Sequence, residues 1–320
     1  MKQPWVSIII VTYQEKDYLE KTLESVKNFN WRNVEVIVVD TGYTNEISLL
    51  ADEYNCKYIK SPVFRAKNIG VNFATEIAKG KYLLLLDNDV ELEDPNILSD
   101  LISESQNLDN FGCYSILQKS NSSELTSLYG GYLGFNFIRK LKKKNIKELK
   151  KLHNSEISFP NGSAIFIKKE VWEKVGKYDS QYTFGGDDTD LGIRLWLYGY
   201  RNFLFTHSLG NHFGLAKRSN NKKYSLYLGD KLYSQLSVIL KNYSINSVYF
   251  VLIINWFFSL FKHIYQSIKR ISFEPLFAFS RGNYLFLINL RNTLLDRKER
   301  QLRRIVKKDI FIKKPSLFDN

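Results

Sequence analysis

The sequence predicts an α/β fold in which helices flank a mixed, mostly parallel sheet, with a helical region at the C-terminal end. The apolar run Tyr82–Leu86 is uninterrupted, which is typical of a strand buried on both faces of a parallel sheet. Strand-like and helix-like segments alternate through the first third of the chain, as in a doubly wound sheet. Several of these strands end in acidic residues, at the edge where open α/β sheets bind ligands.

Each element of the first third follows from its local pattern. Apolar runs predict strands at Val6–Thr12, Val34–Asp40, Lys57–Ile59 and Tyr82–Val90. Apolar residues three or four apart predict the intervening helices at 17–28, 46–54 and 65–80.

The remainder continues with a strand at 159–167, a short helix at 170–176 and a strand at 202–206. Another helix begins at Asp187, buries Leu191 and Leu195 on one face, and stops at Gly199. Beyond Lys222 the pattern is helical.

Composition excludes a disordered chain and a disulfide-stabilised one. The 320 residues are 44% hydrophobic and 15% aromatic, enough for a sizeable core. The two cysteines, Cys56 and Cys113, favour a reducing compartment, and we expect no secretory signal before the first strand. The net charge of +13 favours a phosphate-rich partner: nucleic acid, an anionic membrane or a phosphorylated substrate.

Asp87 and Asp89 end the central strand. Alternate residues of an extended segment point the same way, so both carboxylates can reach one ligand. Two close carboxylates repel each other unless a cation lies between them, and a hard divalent cation prefers oxygen ligands. The sequence therefore predicts a divalent-metal site here.

Other residues near the strand ends suit a nucleotide. Asp40 could accept a hydrogen bond from a base imide or a ribose hydroxyl, and Tyr13 offers a flat face to a base. Arg65 and Lys67 lie near a helix N-terminus, where a pyrophosphate is favoured. The chain has neither a G-x-G-x-x-G loop after its first strand nor a Walker loop, which argues against dinucleotide enzymes and P-loop NTPases.

Four segments together resemble glycosyltransferase family 2, the inverting nucleotide-sugar enzymes of GT-A fold: Val6–Gln14, Val34–Asp40, Arg65–Gly70 and Leu83–Asp89. The resemblance implies that Asp87-Asn88-Asp89 holds the donor diphosphate through Mg²⁺ or Mn²⁺, with Asp89 as the principal ligand. The segment Thr41–Tyr43 departs from the turn that the family often has after the second strand.

The resemblance implies further roles, residue by residue. We expect donor contacts from Thr12, Tyr13, Glu15, Asp40, Arg65, Lys67, Asp87 and Asn88. Metal ligands are expected at Asp89, Asp87 and His212, and acceptor contacts at Gly162, Trp172 and Phe184.

The resemblance also implies the catalytic base. Inversion at a sugar carbon is a direct displacement, so the acceptor hydroxyl must pass its proton to a base within hydrogen-bond reach. The family pattern Glu-Asp-x-Asp aligns Asp188 with that base, and Asp187 replaces the preceding Glu. We expect Asp190 and Arg194 to brace the loop and helix. Simple helix capping is the alternative role for Asp187 and Asp188.

The resemblance divides the chain into a nucleotide-sugar-binding half at 1–110, an acceptor-binding half at 111–220 and a helical tail at 221–320. It predicts transfer of one sugar from a UDP-, dTDP- or GDP-linked donor to a glycan or lipid-linked acceptor, with no nucleic-acid partner. The alternatives are a sugar-phosphate nucleotidyltransferase, which needs a Gly-rich first loop, and a basic nucleic-acid-binding protein, which leaves the strand-end acids unexplained.

The tail carries an uncharged stretch at 244–261, near the lower length limit for crossing a bilayer. Asn246 and Asn255 interrupt it, and basic helices follow. We expect helices lying on the cytoplasmic face of an anionic membrane. A single transmembrane span and a soluble packing face stay open as alternatives.

Overall fold

The structure, a computed structural model, describes residues 3–120, 123–133, 139–140, 143–182, 185–213 and 221–309. Its strands are β1 (Val6–Thr12), β2 (Val34–Asp40), β3 (Lys57–Lys60), β4 (Tyr82–Asp87), β5 (Val90–Leu92), β6 (Phe111–Ser120), β7 (Leu125–Thr126), β8 (Tyr132–Leu133), β9 (Arg139–Lys140), β10 (Lys144–Asn145), β11 (Glu156–Ile157), β12 (Ala164–Lys168) and β13 (Arg201–His212). Its helices are α1 (Lys16–Lys27), α2 (Asn45–Glu53), α3 (Lys67–Ile77), α4 (Ile97–Gln106), α5 (Ile146–Lys150), α6 (Lys169–Val175), α7 (Asp187–Leu197), α8 (Asn221–Asn242), α9 (Ile245–Arg270), α10 (Glu274–Ile288) and α11 (Leu290–Arg303).

Nine strands of the described residues form one mixed sheet. Its order is β11-β13-β6-β12-β4-β1-β2-β3, and β5 pairs with β13 at the side. The strands β4, β1, β2 and β3 are mutually parallel, whereas β12 runs antiparallel between β4 and β6. Strands from both sides of residue 110, the expected boundary between the two halves, therefore belong to one continuous sheet.

Helices cover both faces of this sheet because β1 and β4 are apolar on both sides. The apolar faces of α1, α2 and α4 pack on one side of the sheet, with Leu19, Ile47 and Leu101 in that core. Residues of α3, α6, α7 and α8 form the core on the other side, including Trp172 and Leu191. The predicted α/β class with flanking helices is confirmed.

Parallel pairing brings the polar strand ends to one edge of the sheet. Thr12 of β1 lies opposite Asp40 of β2, and Val11 lies opposite Asp87 of β4. The sequence pattern predicted this edge, since each strand is an apolar run that stops at a polar residue.

Several predicted strands have different bounds in the structure, and the one expected at Tyr82–Val90 ends at Asp87, with Val90 opening β5. The strand expected at 159–167 begins only at Ala164, because the residues before it form a turn held by side-chain bonds from Asn161 and Ser163. The strand expected at 202–206 extends to His212, because its second half pairs with β5.

The four last helices pack on one another and on α7. Helices α8 and α10 approach closely where small residues meet: a Cβ on Gly282 would lie 2.8 Å from the Gly229 carbonyl oxygen. Of the described helices, α9 alone is long and apolar enough to cross a membrane by length and composition. Only 22% of its most apolar stretch is buried inside the protein.

Candidate active site at the carboxyl ends of the central strands

The turn between β4 and β5 carries Asp87, Asn88 and Asp89. Both carboxylates are half-buried. The backbone N–H of Asp87 donates to the Ser163 carbonyl, at 2.9 Å, which ties this turn to the start of β12. This main-chain hydrogen bond holds the turn at the edge of the sheet.

His212 is far from these acids in the sequence, and strand pairing brings it next to them. It lies opposite Val90 in the β13–β5 ladder, and the Phe213 N–H donates to the Asp89 carbonyl, at 2.9 Å. One ligand atom from each of Asp87, Asp89 and His212 lies within 4.8 Å of the others.

This group of three fits a divalent cation. His212 Nε2 is 3.7 Å from Asp89 Oδ1, too far for a hydrogen bond between them. The other ring nitrogen, Nδ1, is buried with no hydrogen-bond partner among the described residues. Burial raises the pKa of Asp89, His212 opposes that rise and Asp87 adds to it. A cation between the ligand atoms would relieve this repulsion.

Lys67, the first residue of α3, supplies a positive charge beside the acids. Its ammonium pairs with Asp87 and also donates to the Gly162 carbonyl, at 3.1 Å. Burial lowers the pKa of Lys67, but the charges of Asp87 and Asp187 outweigh it and leave the pKa raised. This lysine therefore places a positive charge between the β4–β5 turn and the acids at the N-terminus of α7.

Asp187 and Asp188 open α7, directly after Gly186 in a left-handed conformation with φ of 93°. Asp188 Oδ1 accepts from the Thr189 N–H at 2.6 Å and from the Thr189 hydroxyl at 3.1 Å. Burial, followed by the charge of Asp188, raises the pKa of Asp187 to about 6.

Gly162 leaves room in front of Asp188. A Cβ at this position would lie 3.3 Å from Asp188 Cβ and 3.8 Å from Oδ2. The Oδ2 oxygen accepts no bond from Thr189. Gly162, expected on the acceptor side, is thus brought next to the predicted base.

Thr12, Tyr13, Glu15 and Asn88 form a second group at the end of β1. The Asn88 amide donates to the Thr12 hydroxyl at 3.2 Å, and Glu15 Oε2 accepts from the Tyr13 N–H at 3.2 Å. The Arg65 guanidinium lies 4.5 Å from the centre of the Tyr13 ring and contacts the Tyr13 hydroxyl. One face of Tyr13 is therefore covered by Arg65.

Asp40 is brought to the same edge but faces its own loop. It is fully buried, and Oδ1 accepts from the N–H groups of Gly42 and Tyr43 at 2.7 and 2.8 Å. Oδ2 accepts from the Thr44 N–H and the Tyr58 hydroxyl, each at 3.0 Å. Both oxygens are engaged, so a nucleoside contact would cost one of these bonds. That contact stays a prediction.

The expectation that Trp172 contacts an acceptor is wrong. Trp172 is 0% exposed and donates its indole N–H to the Thr75 hydroxyl at 3.1 Å, within the core beneath α6. Trp172, Val171 and Val175 form the buried face of that short helix, a pattern readable in the sequence. The prediction for Phe184 lies outside the described residues.

Sequence reasoning missed Tyr178, which lies beneath the acids. Burial, followed by Asp187, Asp188 and Asp87, raises its pKa well above the ordinary value. Its hydroxyl is buried with no hydrogen-bond partner among the described residues. Nothing in its sequence neighbourhood separates it from an ordinary core tyrosine.

Glu104, His153 and His207 also gather ligand atoms within 4.8 Å of one another. His153 Nδ1 accepts from the Thr206 N–H at 3.1 Å, so in the neutral ring the proton is on Nε2, 2.5 Å from Glu104. This hydrogen bonding satisfies His153 without a metal.

Curated proteins similar to this chain are glycan-assembly proteins and glycosyltransferases. The O-antigen biosynthesis protein RfbC of Myxococcus xanthus is 26% identical over 220 residues, which are 62% of this chain and 16% of RfbC. The uncharacterized glycosyltransferase MJ1057 of Methanocaldococcus jannaschii is 25% identical, over 71% of this chain and 79% of MJ1057. The Escherichia coli UDP-Glc:alpha-D-GlcNAc-diphosphoundecaprenol beta-1,3-glucosyltransferase WfaP is 34% identical over 26% of this chain and 35% of WfaP. The chain therefore spans less than two thirds of RfbC and of WfaP.

Solved structures confirm the GT-A fold. The mannosyltransferase PcManGT from Pyrobaculum calidifontis, in complex with GDP-Man and Mn²⁺, superposes with a TM-score of 0.57 at 14% identity, over 94% of this chain and 81% of that one. Residues 1–349 of S. aureus TarS, in complex with UDP-GlcNAc, superpose with a TM-score of 0.53 at 14% identity, over 93% and 92%. The family model of glycosyl transferase family 2 matches residues 7–176, more than half of the 320 residues, and the chain belongs to this family.

Proposed function

We propose that this protein is a metal-dependent inverting glycosyltransferase that moves one sugar from a nucleotide-diphosphate sugar to a hydroxyl of a glycan or lipid-linked acceptor. The observation that carries the proposal is the meeting of Asp87, Asp89 and His212 with Asp187 and Asp188 around one lysine. A direct displacement needs both halves of this arrangement: positive charge for the leaving group and a base for the incoming hydroxyl.

On the donor side, Asp87, Asp89 and His212 would hold Mg²⁺ or Mn²⁺. The bound ion would neutralise charge that develops on the leaving nucleoside diphosphate. Lys67 adds a second cation at the same place, since its ammonium already bridges Asp87 and the Gly162 carbonyl. Asn88 links this turn to Thr12 and Glu15, which would line the nucleoside pocket with Tyr13 and Arg65.

On the acceptor side, Asp188 is the base. Thr189 fixes Oδ1 with two hydrogen bonds, which leaves Oδ2 to accept the proton of an acceptor hydroxyl beside Gly162. The position of Asp188 at the N-terminus of α7 favours its ionised form through the helix dipole. No covalent intermediate on the protein is required.

The donor class follows from the relatives and neighbours. WfaP is named as a UDP-glucose enzyme, PcManGT binds GDP-Man with Mn²⁺, and TarS binds UDP-GlcNAc. We infer a UDP-, dTDP- or GDP-linked sugar as the donor and a role in cell-surface glycan assembly.

We infer that the enzyme works at the cytoplasmic face of a membrane, with α9 lying on an anionic lipid surface. Helix α9 packs on α8 and α10 and buries Asn255 and His263 there, so a spanning orientation would expose these polar groups to lipid. The acceptor would reach Asp188 from this surface.

The test is nucleoside diphosphate release from a panel of UDP-, dTDP- and GDP-sugars by the full-length protein. The panel is run with glycan and lipid-linked acceptors, with EDTA, and with Mg²⁺ or Mn²⁺ restored. Release that depends on one donor, an acceptor and a divalent ion supports the proposal. Metal-independent release, or a product that retains the anomeric configuration of the donor, would contradict it.

A further inference from the structure

Helix α3 presents two asparagines to the segment of chain that precedes α7. The Asn68 amide donates to the Tyr182 carbonyl at 3.0 Å and to the Asp179 carbonyl at 3.4 Å. Asn72 lies one turn later on the same face of α3. It donates to the Tyr178 carbonyl at 2.8 Å and accepts from the Tyr178 N–H at 3.0 Å. One face of α3 therefore holds this segment through side-chain bonds to its main chain.

Helix α3 is itself fixed on the sheet. Its buried residues Val71 and Ala74 belong to the core on that side of the sheet. A Cβ at Gly70 would lie 2.9 Å from Val39 Cγ1, so the glycine lets the helix approach β2 closely. The N-terminus of α3 therefore has a set position relative to the strand ends that carry the candidate site.

The N-terminal ends of α3 and α7 meet at Gly162. Lys67, the first residue of α3, donates to the Gly162 carbonyl at 3.1 Å. Asp188, the second residue of α7, lies so close that a Cβ on Gly162 would be 3.3 Å from Asp188 Cβ. In the proposed reaction, Lys67 serves the leaving diphosphate and Asp188 serves the incoming hydroxyl. The separation of these two groups therefore depends on how the two helix ends are held.

Tyr182 makes a second connection between the same two helices. This tyrosine is 3% exposed, its carbonyl accepts from Asn68, and its hydroxyl donates to Asp190 Oδ1 at 3.3 Å. Asp190 belongs to the first turn of α7, two residues after the proposed base. Asn68 directly follows Lys67, and successive helix residues point about 100° apart, so these two side chains face different neighbours. The Asn68–Tyr182–Asp190 link thus joins the first turn of α3 to the first turn of α7.

We propose that Asn68 is a positioning residue for the transfer reaction, which acts through Tyr182 to set the separation of the Lys67 ammonium and the Asp188 carboxylate. The inference rests on the proposed glycosyl transfer. A direct displacement needs its base and its leaving group in line, and a misplacement of about 1 Å can cost about 100-fold in rate. Asn68 is 7% exposed, so water does not readily replace the bonds that its removal would break. The loss should therefore fall on kcat.

Asn68→Ala and Asn72→Ala form a matched pair, because each removes two hydrogen bonds to the same segment. The full-length variants are compared by nucleoside diphosphate release at saturating donor and acceptor with Mn²⁺, and by calorimetry of donor binding. Asn68→Ala should lower kcat about 10–100-fold while donor affinity stays within about twofold. Asn72→Ala should lower kcat by about threefold at most, since it holds Tyr178, which lies farther from α7 in the sequence than Tyr182 does.

Tyr182→Phe tests the other end of the link and carries the test if Asn68→Ala does not fold. It removes the hydroxyl that donates to Asp190 and keeps both the buried ring and the carbonyl that accepts from Asn68. We expect kcat to fall about 3–10-fold. The losses of Asn68→Ala and Tyr182→Phe should not multiply in the double variant, because both interrupt one link, whereas those of Asn72→Ala and Tyr182→Phe should multiply.

Equal kcat losses in Asn68→Ala and Asn72→Ala would leave Asn68 a role in stability alone and overturn the proposal. Wild-type kcat in Tyr182→Phe, or losses that multiply in the Asn68→Ala/Tyr182→Phe variant, would overturn it as well. Failure of the proposed reaction is seen separately, because wild-type protein would then release no nucleoside diphosphate from any donor. Denaturant unfolding of the same variants needs no substrate, and additive stability losses of Asn68→Ala and Tyr182→Phe would overturn the link even then.

Discussion

Asp190 of α7 and Arg300 of α11 form a buried ion pair, with 2.5 Å between Oδ1 and Nη1. Asp190 is 0% exposed, and its other oxygen lies 2.7 Å from Arg194 Nε. The Asn242 amide donates to Oδ1 as well, at 2.7 Å. Helix α11 is thus bonded to α7, the helix that begins with Asp187 and Asp188. The C-terminal helices α8 and α11 therefore hold α7 in place through Asp190.

Arg300→Met should destabilise the protein by about 3–5 kcal/mol, because it leaves Asp190 buried with part of its positive partner missing. Burial alone would raise the pKa of Asp190, and Arg300 and Arg194 hold it well below its ordinary value. Denaturant unfolding followed by circular dichroism measures the change. Lys298→Met, at an exposed position on the same helix, should stay within about 0.5 kcal/mol of wild type. Equal stability of the two variants would contradict this role.

Several features of the site were readable from the sequence because they are local. Asp87 and Asp89 follow a buried strand, and β1 and β2 have the predicted bounds. Asp190 and Arg194 brace α7 as expected, since residues four apart on a helix are neighbours. Asp40 also follows a strand, but the turn after it offers three backbone N–H groups, and these bind its carboxylate.

Features that depend on distant pairing were not readable from local patterns, and the expectation for His212 came from the family resemblance alone. His212 reaches Asp89 only because β13 is twice as long as a typical strand and pairs with β5. Arg300 is 110 residues from Asp190, and no local pattern marks it as the partner. Gln301 and Arg304 donate to main-chain carbonyls at the end of α8, including that of Asn242, and no local pattern marks these contacts either.

Asp89→Ala should lower turnover by about two orders of magnitude or more, through loss of a metal ligand. Mn²⁺ binding, followed by electron paramagnetic resonance of the free ion, should weaken in parallel. Asp94→Ala is the control, since Asp94 lies outside the metal group, on the loop that follows β5, and its side chain accepts from the nearby Asn96 N–H. Unchanged Mn²⁺ affinity in Asp89→Ala would remove Asp89 from the metal site.

Asp188→Asn should lower kcat about 10³-fold while donor binding stays within a few-fold of wild type. The amide keeps the size of the side chain and can still accept from Thr189, but it cannot take up a proton. Donor affinity by calorimetry and turnover by nucleoside diphosphate release separate the two effects. A fully active Asp188→Asn enzyme would show that another group is the base.

On the acid side of the pH profile, kcat/KM should rise as Asp187 loses its proton, near pH 6. Burial and the charge of Asp188 raise the pKa of Asp187 to about 6, so below that pH Asp187 keeps a proton beside the proposed base. In Asp187→Asn the titration of residue 187 is absent, and the acid limb should move to lower pH. A limb that does not move would place the titration on another group.

Gly162→Ala tests whether the space beside Asp188 holds the acceptor. The added methyl would lie 3.3 Å from Asp188 Cβ, tight enough to push that carboxylate or to occupy the approach to Oδ2. We expect kcat/KM for the acceptor to fall about 10–100-fold, since small misplacements of reacting groups are costly. The KM of the nucleotide-sugar donor should change little, because Gly162 offers Lys67 only its main-chain carbonyl, which alanine keeps. A larger loss on the donor side than on the acceptor side would place Gly162 in the donor pocket and move the acceptor away from this face of α7.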